Sequence, residues 1–201
     1  MQWSANNSSA WTQPEVGNWT AICIRIIDLG TQENEYQGKV NNRRQSLIIW
    51  EIPDQTDNEG RPLTISKAYT ASLGEKATLR QHLESWRGRA FTAEELTGFD
   101  VKNLLGKPCL LNLVKVQGRK GEKVVISTVS PIPKGMAAPP APMHEMYIYS
   151  LENHDDAVWS QLSDGIKGWI GRSLEHQNQP VQAPPPPIPA WSKAKDDDIP
   201  F

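Results

Sequence analysis

Apolar residues fall in short, β-branched runs over the first two-thirds of the chain, and their period changes once. Residues 19–29 (WTAICIRIIDL) and 44–52 (RQSLIIWEI) have the composition of strands, and the polar, glycine-containing stretch 30–42 (GTQENEYQGKVNN) reads as the loop between them. Pro53 and the turn-rich DQTDNEGRP close the second strand, and residues 63–71 (LTISKAYTA) alternate as a third. From Glu75 to Trp86 the spacing becomes helical: Ala77, Leu79, Leu83 and Trp86 recur on one side, with Glu75 near the start, where the helix dipole favours an anion. Thr92 followed by Glu95 predicts a short capped helix in the connector FTAEELTGFDVKNLLGK. Residues 108–117 and 122–130 then predict a hairpin about GRKG, so the element order is β-β-β-α-β-β.

The remainder of the chain has another character. GMAAPPAPM is linker-like, 143–151 predicts one more strand, and 155–174 sets Val158, Trp159, Leu162, Ile166, Trp169 and Ile170 on one helical stripe. Gly165, Gly168 and Gly171 weaken that helix by up to about 1 kcal/mol each relative to Ala. The stripe either packs on its own domain or meets a partner. Residues 177–195 (QNQPVQAPPPPIPAWSKAK) hold four consecutive prolines, which neither pair in a sheet nor continue a helix, so a disordered linker is expected there.

Five strands with a helix between the third and fourth is the plan of the OB-fold, a small Greek-key barrel. The expected fold class is therefore all-β with minor α: a five-stranded OB-fold barrel over 19–134, preceded by an arm (1–18) and followed by a helical extension (135–176), the linker (177–195) and a tip (196–201).

Composition sharpens this picture only where it is mapped. The 201 residues carry a net charge of -2 and a mean hydropathy of -0.54, yet residues 39–134 hold 16 Lys and Arg against 10 Asp and Glu, so the basic surplus belongs to the central body. Cys23 and Cys109 lie in apolar runs without metal-ligand spacing, which predicts buried thiols in a reducing cytoplasm. No signal peptide or apolar run near 18 residues is visible, so no membrane association is expected. Glu94, Glu95, Asp100 and His82, the last expected on the exposed side of its helix, form no catalytic set or metal site, and the chain reads as a non-enzyme without metal or cofactor.

The stretch Asp196, Asp197, Asp198, Ile199, Pro200, Phe201 joins three carboxylates to two apolar residues and an aromatic ring, with a terminal carboxylate. A partner would need a basic rim and an apolar pocket, where burying Phe201 contributes about 1.5 to 3 kcal/mol. This stretch resembles the C-terminal tip of bacterial single-stranded DNA-binding proteins, which recruits DNA-processing enzymes. The interior, in IDLGTQENEYQG, LTISKAYTASLGEKATLRQHLESWRGRAFT, LLGKPCLLNLV and PIPKGM, is similar to a phage-encoded family over roughly 19–136. That resemblance implies a replication or recombination accessory. The implied partners are single-stranded DNA and host or phage enzymes that recognise such a tip; a homo-oligomer is left open. An adaptor or decoy that carries the tip and binds little DNA is the alternative.

Sequence-tolerant binding of single strands needs cations along the backbone and aromatic faces for the bases. Lys67 and Tyr69, two apart in the third strand, share a face and are the first candidates, although Tyr69 could instead cap the core. Lys39, Arg43 and Arg44 at the first loop, with Arg119, Lys120 and Lys123 at the second, are candidate phosphate contacts, and Tyr36 is a further platform. Trp50 and Trp86 read as core.

Overall fold

Strands whose apolar residues run on without alternating must be covered on both faces, and this requirement organises the molecule. The structure, a computed structural model, describes residues 12–36, 38–118 and 121–177. Strands β1 (Gly17–Tyr36) and β2 (Lys39–Thr56) pair antiparallel from Ile22↔Glu51 out to Tyr36↔Lys39. The expected loop 30–42 is thus the outer half of a two-stranded ribbon. Its polar side chains concealed it, because ladder bonds join backbones and need no apolar residue. Strands β3 (Pro62–Thr70), β4 (Pro108–Gly118) and β5 (Gly121–Ser130) complete an antiparallel sheet in the order β3-β2-β1-β4-β5. A short β6 (Tyr147–Tyr149) pairs parallel to Arg25–Ile27, past the point where the β1–β4 ladder ends at Ile22.

The fold is mostly antiparallel β with a few short helices. The expected closed barrel is not completed by strand pairing, since β3 and β5 are the ends of the strand order and no ladder joins them. A side chain bridges them instead: Lys67 Nζ donates to the Ile126 carbonyl at 2.9 Å.

Bulges between Cys23 and Arg25 and between Asp28 and Gly30 reset the alternation of β1, so apolar residues serve both faces. On the inner face Ala21, Cys23, Ile48, Trp50, Ile52 and Ile65 pack with Leu111 and Leu113 of β4 and with helix α1 (Thr78–Arg87), whose Leu79, Leu83 and Trp86 point inward. Trp50 is the hub, its ring centroid 6.1 Å from that of Trp86 and 6.5 Å from that of Tyr69. Cys23 and Cys109 are free and buried, and burial pushes the Cys23 thiol up to about 12. Helix α1 starts later than its periodicity predicts: the Ala77 N–H bonds the Gly74 carbonyl in a turn, and Glu75 lies outside the first helical turn. Helix α2 (Ala93–Thr97) has the expected capping box between Thr92 and Glu95, and a 3-10 turn follows at Val101–Leu104.

The outer face of β1 and β2 presents Ile22, Ile24, Ile27, Leu29, Leu47 and Ile49, and the chain's own C-terminal extension covers them. The expected single helix is three, α3 (Asp156–Gln161), α4 (Asp164–Ile170) and α5 (Leu174–Gln177), and its stripe packs on this domain through Leu162 and Ile170, with Val158, Trp159, Ile166 and Trp169 beside them. Three polar pins surround this apolar layer. Glu51, fully buried, accepts from the Met143 and His144 N–H groups at 3.0 and 2.8 Å and lies 2.7 Å from His144 Nδ1. Asp28 and Glu152 both hold Arg44, at 2.6 and 2.8 Å. Glu175 accepts from the N–H and hydroxyl of Thr31 at 2.7 and 2.6 Å. The third pin requires Gly30, which has φ +70° and where a Cβ would lie 2.6 Å from Ser173 Cβ.

Removing the Glu51 carboxylate leaves the Met143 and His144 N–H groups without their acceptor. Glu51→Ala is therefore expected to lower stability by about 1–3 kcal/mol, and Glu51→Gln, which keeps the shape and an acceptor oxygen, by less. Urea unfolding measures both, and an unchanged midpoint for Glu51→Ala would contradict the pinning of the extension.

Candidate nucleic-acid interface

Two hairpins set the geometry of any interface. The β1–β2 ribbon turns at residues 36–39; β4 runs back along β1 from Pro108, opposite Ile22, to Leu113, opposite Gly17, so the β4–β5 turn projects beyond the opposite end of β1. The two turns do not meet. Between them lies the outer face of β1 and β2, which the C-terminal extension covers.

The candidate residues divide accordingly. Arg43, opposite Gln32 on the ribbon, and Lys123, opposite Val116 on the second hairpin, are exposed, as a phosphate contact requires. Arg44 faces Thr31 one step further in and is committed to Asp28 and Glu152; its hydrogen bond to the Asp28 carboxylate holds its guanidinium protonated well beyond the ordinary range. It anchors the extension and offers no free charge. The side chains of Lys39 and Tyr36, all of Arg119 and Lys120, and the tip Asp196, Asp197, Asp198, Ile199, Pro200 and Phe201 lie outside the described residues.

Lys67 and Tyr69 do share a face, the ammonium standing 5.7 Å from the ring centroid, but that face is the interior. Tyr69 is 4% exposed, and its hydroxyl pairs with His82 Nδ1 at 2.9 Å, so no base can stack on it. Burial pushes the Lys67 amine down and the Tyr69 phenol up. Strand alternation locates a face without saying whether it looks in or out, and here the inner side is covered by α1. His82, expected outside, is 9% exposed for the same reason: Tyr69 on the facing strand receives it. Burial, and then the Lys67 charge, hold this imidazole down at about 4, partly offset by a hydrogen bond to the Ser127 backbone. A neutral ring, with one donor and one acceptor nitrogen, satisfies both of its partners.

Two of the carboxylates weighed for catalysis, Glu95 and Asp100, cap the starts of helical turns. Glu95 completes the capping box and pairs with Arg87 and Arg89; the Arg89 hydrogen bond, with that of the Thr92 backbone, brings it down to about 2. Asp100 accepts from the Lys102 N–H at the start of the 3-10 turn. Among the described residues no three His, Cys, Asp or Glu side chains gather as a metal ion would require, and no helix is long and apolar enough to cross a membrane.

Besides the candidates Arg119, Lys120 and Lys123, four further cations lie on the β4 side, Lys102, Lys107, Lys115 and Lys134. Residues 101–134 hold seven Lys and Arg against one Glu, and Lys102, Lys107 and Lys134 are exposed there, as is Lys115, which lies 3.1 Å from Glu122. A charge count in a sliding window would have found them. No family model and no curated protein matches this chain.

The buried His82 makes stability pH-dependent with a definite sign. Its folded value lies below the ordinary 6.5, so its contribution is present above pH 6.5 and is lost as the pH falls toward about 4. Urea midpoints should drop between pH 6.5 and 5 and should drop less in His82→Gln; equal slopes in both proteins would show that His82 is not held neutral.

Proposed function

We propose that this protein is a non-enzymatic, OB-type binder of single-stranded DNA that recruits host or phage DNA-processing enzymes through residues 196–201. The observation that carries the reading is the strand order β3-β2-β1-β4-β5 with α1 between β3 and β4, the plan expected of such a fold, together with an exposed cation, Arg43 and Lys123, on the hairpins at the two ends of β1. OB-folds commonly bind oligonucleotides on the face of their second and third strands and on these two loops. Here the outer face of β2 is packed under the extension, so DNA is left with Arg43 on the ribbon, Lys123 on the second hairpin, and the β4-side lysines. Binding is dominated by phosphate contact and tolerates sequence.

That same covered face, with the burial of Tyr69, favours a second reading in which the body is an adaptor that carries the tip and binds DNA weakly.

Titration with labelled oligo-dT separates the two. DNA binding predicts saturable affinity at low salt that falls with salt by about 0.7 log units per log unit for each phosphate neutralised. Arg43→Ala should remove roughly one phosphate's share of that slope, whereas Lys67→Ala should leave the slope unchanged, because its ammonium is committed to Ile126. No binding at low salt would leave the adaptor.

The tip is tested independently. Deleting Phe201 removes the aromatic plug and keeps all three aspartates, so capture of an enzyme that recognises such tips should fall at least tenfold while the urea midpoint is unchanged. Undiminished capture would overturn the recruitment role.

A further inference from the structure

An apolar pocket of about 360 Å³ opens where α1 meets the start of β4, walled by Trp86, Phe99, Leu104, Pro108, Pro131 and Ile132. Its volume lies in the range of sites that take a small ligand. Phe99 is half-buried while Pro108 and Pro131 are exposed, so a flat ring can enter against their faces. Trp86, 7% exposed and with its indole N–H spent on the Pro108 carbonyl at 2.9 Å, offers apolar surface and no donor. No residue of 135–177 lines the pocket, so the extension leaves it open.

The charges about it are positive. Arg87 and Lys107 belong to the lining, and no lining residue is acidic. Arg87 pairs with Glu95 and stands over the faces of Phe91 and Phe99, but its Nη1 is buried without a hydrogen-bond partner among the described residues. A ligand that brings an acceptor there removes that penalty. Lys102 directly precedes Asn103 of the lining, and Lys134 follows Ile132 by two residues; both are exposed, as is Lys107. A planar ring that bears acceptors and is joined to a polyanion fits the walls, the orphaned Nη1 and the cationic rim together.

We infer that the pocket takes one unstacked base of single-stranded DNA, set against Phe99 and the proline rings, while the neighbouring phosphates meet Lys107, Lys102 and Lys134. This rests on the DNA-binding reading proposed above and adds to it a base contact, which the exposed cations of the two hairpins do not supply. Each of the four bases has a π-face and at least one ring or carbonyl acceptor for Arg87, so the contact tolerates sequence. One strand can meet both the pocket and the second hairpin. Lys123 lies eight residues before Pro131 along β5, at most about 26 Å at 3.3 Å per residue, within reach of the roughly 4–16 nucleotides that one OB-fold engages.

The test compares oligo-dT with a strand of equal length whose sugars carry no bases, which keeps the phosphates and removes the stack. Wild-type protein should bind oligo-dT at least about fivefold more tightly. Phe99→Ala should bring that preference below about twofold, whereas Lys107→Glu should weaken both strands by a similar factor. A strand carrying 5-iodouracil, photocrosslinked to the wild-type protein, depends on no variant and should label a peptide containing Trp86 or Phe99. Equal binding of the two strands by wild type, an undiminished preference in Phe99→Ala, or labelling confined to the ribbon and the second hairpin would overturn the base pocket alone and leave phosphate-driven DNA binding standing. Binding of neither strand at low salt would overturn both.

Discussion

The burial of β1 and β2 on both faces is the constraint from which the rest follows. One face of these strands forms a core with α1 and β4 around Trp50; the other carries Ile22, Ile24, Ile27, Leu29, Leu47 and Ile49. Exposing a Leu or Ile costs about 1.5–3 kcal/mol, so six of them on an open face would forfeit much of a domain's net stability. The extension after β5 removes that penalty, and its three polar pins fix where it lies. Glu51 shows the coupling most clearly, since a fully buried carboxylate on β2 is tolerable only because residues 143 and 144 bring it three hydrogen-bonding groups.

This arrangement also shapes function. A sheet whose outer face is spent on its own extension has little area left for a ligand there. Among the described residues, Arg43 on the ribbon, Lys123 on the second hairpin and the lysines about β4 stay exposed, as contact with a phosphate backbone requires. Under the proposed DNA-binding role, such a surface would hold a strand by charge, with a strong dependence on salt.

Much of the fold was legible because local chemistry determined it. The capping box of Thr92 and Glu95, the start of β3 at Pro62, and the inward Trp50 and Trp86 each depend on neighbours a few residues away, whereas β2, expected to close at Pro53, runs on to Thr56. The misplaced residues depend on distant ones. Arg44 is taken by Glu152, 108 positions on, and Tyr69 by His82 of a helix packed beneath its strand. The uninterrupted apolar runs of β1 and β2 did carry a sign that both faces are covered, and it would have placed the stripe of 155–174 on the sheet. The ribbon could not be seen in the same way, because its pairing is made by backbone groups that every sequence carries.

Hydrogen exchange of the full-length protein with and without saturating oligo-dT tests the central claim that the extension stays on the sheet while the hairpins meet DNA. The account predicts added protection at the ribbon around Arg43 and at the hairpin around Lys123, with residues 147–177 equally protected in both states. Faster exchange of residues 147–177 on adding oligo-dT would contradict it, since it would mean that DNA displaces the extension and binds the face beneath.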